Sequence, residues 1–255
     1  MLRTILVNPL FNALLLIYAL IPGHDFGLAV IILTILIRLL LWPLVKRQLH
    51  HQKAMKQLQP EIAKIKAKTK GDRQKESQMM VELFKEKEIN PFSSLGLALL
   101  QFPILIALFF VLRQITDPGS FGPILYDSIE GLKAIKDIIT NPGSFDPTFL
   151  GLVHMAKPNI VLALLAGLAQ YAQARQLMPR DTSKTGPGGN LAFNMTLIFP
   201  ILTVAIEAQL PSALALYWAA SSAVAVIQQQ MVLSNEVGIM AKLTPARFKN
   251  NDARK

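Results

Sequence analysis

Five stretches of this chain, at about 27–45, 93–112, 158–176, 191–209 and 212–233, are apolar almost throughout. Each approaches the roughly 20 residues that a helix needs to cross a bilayer. A helix that is apolar all round must be covered all round, by a large protein core or by lipid, and a chain of 255 residues has too little core for five of them. Charged residues make up 16% of the sequence, against about 25% in soluble domains. The reading is an all-α membrane protein with a core of five transmembrane helices. Pro103 and Pro200 lie inside the second and fourth runs, where neighbouring helices can re-satisfy the freed carbonyls. Only Leu210 and Pro211 separate the last two runs, which predicts a tight hairpin. The chain has no cysteine, so it has neither a structural disulfide nor a cysteine-linked lipid anchor.

The first 24 residues read differently. "MLRTILVNPLFNALLLIYALIPG" is interrupted by Asn8-Pro9, leaving about 13 apolar residues before Pro22. That is short for a span and suits an interfacial helix, with a true span as the alternative. The charges between the runs set the orientation. Residues 46–88 carry 12 Lys/Arg and 6 Asp/Glu, net +6; 175–190 are net +2 and 234–255 net +3; 113–157 carry 4 basic and 5 acidic groups, net −1. The positive-inside rule puts the first three in the cytoplasm and 113–157 outside. Five spans meet this without conflict, with a basic cytoplasmic tail at 234–255.

The cytoplasmic segment, about 46–90, predicts a helical hairpin. Ile62 and Ile65 follow Pro60, which suits a first helical turn; "TKGDR" gives a turn; Met79, Met80, Leu83 and Phe84 share one side of a second helix. That apolar edge, with the net charge, favours contact with lipid headgroups or a partner. A solvated, salt-bridged hairpin without a binding role is the alternative. The external segment 113–157 has turn signals in "TDPGSFGP" and "NPGSFDPTF", with an amphipathic helix expected between them.

Arg38 is the sharpest functional signal, a permanent charge within "AVIILTILIRLLLWPL". Arginine at the centre of a span costs about 2.5–3.5 kcal/mol on insertion scales and faces a bundle interior or a wet cavity. Snorkelling is the bland explanation, but the cytoplasmic end at Lys46 is roughly 12 Å away by helix rise, and Lys46 and Arg47 already occupy the interface. Thr34 lies one turn earlier on the same face. Gln101, Gln170, Gln173, Asn194, Thr196, Ser221, Ser222 and Gln228 are uncharged polar groups on other runs. Singly, each reads as an interhelical hydrogen-bonding group; together they suggest a polar interior open to one side. No intramembrane carboxylate lies at matching depth, Glu207 being near the outer end of its run. We expect groove residues Arg38, Thr34, Gln101, Gln170, Asn194 and Ser222.

Nothing in the sequence points to an enzyme. HExxH, GxSxG and paired intramembrane aspartates are lacking, and His24, His50, His51 and His154 are scattered, so no metal site and no cofactor is expected. Gly186, Gly188 and Gly189 make a loose loop and not a phosphate cradle.

"NPLFN", "ILTILIRLLLWPL", "MKQLQPEIAKIKAK", "EINPFSSLGLALLQFPILIALFFVLR" and "LPSALALYWAASSAVAVIQQQM" resemble, in order and spacing, the YidC/Oxa/Alb membrane-protein insertases, in a short bacterial form. The resemblance implies a five-helix core around a hydrophilic groove open to the cytoplasm and to lipid. It makes Arg38 the groove arginine, 46–88 a mobile lid and the first segment an external surface helix. It places Trp42, Tyr217 and Trp218 near the substrate path, with helix packing as their other reading. The implied partners are nascent membrane proteins and the phospholipid bilayer, with the ribosome and a Sec translocon as further candidates and no sequence-specific nucleic acid. The implied location is the bacterial plasma membrane, with a cytoplasmic C-terminus. A membrane assembly chaperone or scaffold without translocation activity, and a small-solute transporter, are the rival expectations; the transporter lacks the paired halves it would call for.

Overall fold

A computed structural model describes the backbone of residues 3–69, 71–87, 95–115, 124–177 and 187–243, and the side chains of these except 53, 55, 56, 95–102, 113, 115, 142, 177, 187–196 and 233–243. A π-helical turn, Arg3–Val7, leads into α1, Asn8–Leu20. The bundle continues with α2, Phe26–Leu40, and α3, Trp42–Thr69. After α4, Arg73–Glu86, come α5, Leu95–Ile115, and two short helices, α6, Asp127–Glu130, and α7, Lys133–Thr140. A two-stranded antiparallel ribbon follows, β1, Thr148–Phe149, and β2, Val153–His154. The chain ends in α8, Ile160–Leu177, α9, Pro187–Glu207, and α10, Ser212–Leu243.

Helical spacing builds the core. In α1, Phe11, Leu14, Leu15 and Tyr18 are buried, and in α2, Phe26, Ala29, Val30 and Leu33. Both sets fall at i, i+3, i+4, i+7, the stripe that one helix face presents to its neighbours. They join Leu108 and Val111 of α5 and Leu214 to Tyr217 of α10 in one cluster. The outside of the bundle is apolar too. Leu36, Leu39 and Leu40 of α2, Leu164 and Leu168 of α8 and Ile198, Phe199 and Ile201 of α9 are all exposed. Apolar side chains on both faces of several helices are what hydrocarbon surroundings select, whereas a soluble monomer rarely shows contiguous patches of this kind. Among the described residues, Arg3–Leu20 is long and apolar enough to cross a membrane by length and composition, and α2 with α3 passes as one bent pair. Length and apolarity at the N-terminus therefore suit a surface helix and a span alike.

The first apolar run does not continue straight to residue 45. α2 stops at Leu40, and α3 leaves at 67° to it. Pro43 explains the break, since its ring clashes with the preceding turn and it carries no N–H. Conversely, Pro60 does not begin a helix but lies inside the 28 residues of α3. α3 and α4 do form a helical hairpin, turned at Gly71, whose φ of +95° suits glycine, and capped by Asp72, whose carboxylate accepts from Gln74 N and Lys75 N at 3.1 Å. The apolar edge expected to meet a partner is used inside the hairpin. Leu83, with Met79, Met80 and Phe84, packs on Leu58, Ile62 and Ile65. Lys87 and Glu61 add a half-exposed ion pair at 3.4 Å, which contributes little.

Residues 124–157 cap one end of the bundle. The expected amphipathic helix is split into α6 and α7, and Ile135 and Ile138 of α7 bury themselves in the main core with Phe145 and Met155. Asn12 ties α1 to this segment: its Nδ2 donates to Ile124 O at 2.8 Å, and its Oδ1 accepts from Tyr126 N at 2.7 Å. Asn12 is buried, so both main-chain groups depend on it. Asn12→Leu should therefore cost about 2 kcal/mol, the price of orphaned buried polar groups, read as a lower melting temperature in detergent. An unchanged melting temperature would show that water replaces the amide.

Candidate functional site

The apolar stripe of α2 turns polar toward its C-terminal end. Phe26, Ala29, Val30 and Leu33 are followed on the same face by Thr34 and Arg38, which are 1% and 9% exposed. Helix geometry alone puts Arg38 inside, because it sits one turn beyond Thr34 and two beyond Val30. Facing it is α10. Its buried positions Leu214, Tyr217, Ser221, Ala225, Gln228 and Val232 follow steps of three and four, so one face of α10 runs along α2 and past its end.

Arg38 donates twice to one oxygen, Nε to Ser221 Oγ at 2.9 Å and Nη2 to the same atom at 2.6 Å. Tyr217, one turn earlier on α10 and also buried, lies within electrostatic reach of the guanidinium. No carboxylate among the described residues contacts it. A guanidinium carries five N–H donors, and a single serine hydroxyl cannot satisfy them. The arrangement holds the cation in place without neutralising it, leaving it able to take an anionic or strongly accepting group. The main chain of the same residue is held as well: Gln228 Nε2 donates to Arg38 O at 3.2 Å, in the last turn of α2, where helix carbonyls lack a following N–H.

The other expected residues divide. Thr34 is on the stripe, but its hydroxyl donates to Val30 O at 2.7 Å, back to its own helix. Ser222 is buried beside Ser221, and Ser221 is the one on the guanidinium. Gln170 of α8 is partly buried, and its Oε1 has no hydrogen-bond partner among the described residues. Gln101 and Asn194 lie on α5 and α9, with side chains outside the described residues. Trp42 packs with Leu41 against Val45, Leu49 and Val232, the packing reading of that aromatic. Trp218 is partly buried on α10. Sequence reasoning had Ser221 and Gln228 only among the general polar groups. Their spacing of seven, in register with Leu214 and Tyr217, is the signal that singles them out. Among the described residues no three His, Asp or Glu side chains gather where a metal would sit.

The sequence profile of the 60Kd inner membrane protein family matches residues 16–238, which includes α2, α10 and the Arg38 site. A protein of Clostridium tetani called membrane protein insertase YidC is 34% identical over 197 residues, 77% of this chain and 76% of that one. A Fusobacterium nucleatum protein of the same name is 34% identical over 211 residues, 82% of this chain and 86% of that one.

Proposed function

The chain belongs to the 60Kd inner membrane protein (YidC/Oxa) family, and on that premise we propose that it is a membrane protein insertase of the bacterial plasma membrane. α2, α5, α8, α9 and α10 are the five spans, and the N-terminal helix lies along the outer surface. The net charges of +6, +2 and +3 on segments 46–88, 175–190 and 234–255 turn the hairpin and the C-terminus toward the cytoplasm. One observation carries the reading: a buried arginine, held by a serine hydroxyl and facing no carboxylate among the described residues. A cation kept uncompensated within a bundle is retained for a charge that arrives.

The polar flank of a nascent membrane protein enters a hydrophilic groove lined by Arg38 and its polar neighbours. The groove shortens the hydrocarbon path, and Arg38 offers an acidic flank a counter-charge partway across. The substrate's apolar segment slides along α8 and α10 into lipid. Its burial contributes about 25 cal/mol per Å², and the membrane potential adds roughly 2.3 kcal/mol per charge per 100 mV on negative flanks.

The test is reconstitution. Purified protein in proteoliposomes, given a nascent single-span substrate, should yield a flank protected from added protease. Substrate that binds the vesicles but stays fully protease-sensitive would instead establish a scaffold that moves nothing across.

A further inference from the structure

The hydrogen bonds of Arg38 carry a second message, about the hairpin. α10 touches the α2–α3 junction at three successive levels. Ser221 takes the guanidinium of Arg38. Seven residues on, Gln228 donates to the carbonyl of the same residue. Four further, Val232 packs on Val45 and Leu49, beyond the bend. About three turns of α10 thus span the point where the chain departs by 67°. Pro43 breaks the helix, but a proline permits a range of angles, and a contact across the break must choose one.

Gln228 is suited to this choice. It is 5% exposed, and its Nε2 is directed to a carbonyl that the end of α2 leaves available. Its Oε1 is buried with no hydrogen-bond partner among the described residues. A buried amide with one end unpaired is a costly way to fill space, and an apolar side chain of the same shape would pack without that cost.

We propose that Ser221 and Gln228 are positioning residues that grip Arg38 at its guanidinium and at its carbonyl, and so tie occupancy of the Arg38 site to the direction in which α3 and α4 leave the bundle. Whatever draws the guanidinium from Ser221 removes one of the two points that hold the junction. The hairpin then swings on the remaining carbonyl contact and the Val232 packing. This goes beyond the insertase reading in naming how the site is linked to the hairpin. Because the clip is a statement about geometry, it stands or falls separately from that reading.

The chain has no cysteine, so two introduced ones give background-free spin labels. Ser77 on α4 and Leu152 beyond β1 are exposed. From the bend to the level of Ser77 the lever is about 35 Å, so a change of about 10° moves the label by about 6 Å. Distances are measured between nitroxides at these positions in lipid nanodiscs, with no substrate. Gln228→Met and Gln228→Leu, both without a donor at that place, should broaden the distribution or shift its mean by about that amount. Ser221→Ala should broaden it less. Gln229→Met, the same change one residue away on a side chain that is also buried, should match the wild type. Wild-type distributions for both Gln228 variants, or an equal change from Gln229→Met, would overturn the clip. A wild-type distribution for Ser221→Ala would overturn the link to the guanidinium. Insertion by the unlabelled wild type bears on the insertase reading alone.

Discussion

Arg38→Ala is expected to reduce insertion of single-span substrates with acidic translocated tails by about tenfold or more, and insertion of neutral-tailed ones much less. The size follows from electrostatics. Two unit charges 4 Å apart interact by about 4 kcal/mol at an effective dielectric of 20 and by about 1 kcal/mol in bulk water. A partly wet site falls between, and about 1.4 kcal/mol is already tenfold in rate. The guanidinium has no carboxylate to share it among the described residues and two bonds to one hydroxyl, so most of its field is available to an incoming carboxylate. Arg38→Lys separates charge from shape: it keeps the cation but loses the fork that reaches Ser221 at two nitrogens. If the counter-charge acts, lysine restores much of the acidic-tail insertion; if orientation by Ser221 acts, lysine behaves like alanine. The measurement is protease protection of matched substrates in proteoliposomes. Equal losses for acidic and neutral tails, or no loss for either, would refute the electrostatic role.

The inward placement of Arg38 was legible because its helix announces its phase. Phe26, Ala29, Val30 and Leu33 form an apolar stripe, and Thr34 and Arg38 continue it. The helical hairpin was legible too, from Gly71-Asp72 between two charged helical patterns, although its Met, Leu and Phe edge is used up within the hairpin. What sequence did not yield depends on the rotation of one helix against another. Ser221 and Ser222 are adjacent on α10, and a rotation of about 100° decides which meets the guanidinium. Both are buried, so burial could not have separated them; only the register of α10 on α2 does. The break at Leu41 was readable from Trp42-Pro43 and was hidden by the hydrophobicity of the run, which continues past it to Val45. Contacts far apart in sequence left no local trace. Asn12 binds the main chain at 124 and 126, and residues 124–157, which carry no recognisable chemistry, are built into the core through Ile135, Ile138, Phe145 and Met155.

The cap formed by that segment should be most sensitive at Gly27. A methyl group there would run into Phe149 Cδ2 and come within 2.5 Å of its Cβ and Cγ, closer than non-bonded carbons approach. The ring cannot simply turn aside, because its own Cβ is among the close atoms. β1 itself must move, and β1 is fixed: Phe149 pairs with Val153. The next residue, Leu150, has a left-handed φ of 52° and donates its N–H to the carboxylate of Asp25. The other oxygen of Asp25 caps α2 through Leu28 N at 2.7 Å. Displacing β1 therefore pulls on the N-cap of the helix that carries Arg38. Overpacking at a site with no room costs about 3 kcal/mol, or roughly 6–12 °C in melting temperature for a chain of this size. Gly27→Ala is expected to lose that much in detergent. The cause is tested by the pair Gly27→Ala with Phe149→Ala. Phe149→Ala alone loses packing, but with the ring gone the alanine at 27 has space, so the double variant should be more stable than the sum of the single losses by about 1.5 kcal/mol. Strict additivity would show that Gly27 is needed for something other than the approach of Phe149. A Gly27→Ala protein melting with the wild type would show that β1 shifts freely and that Asp25 does not hold it.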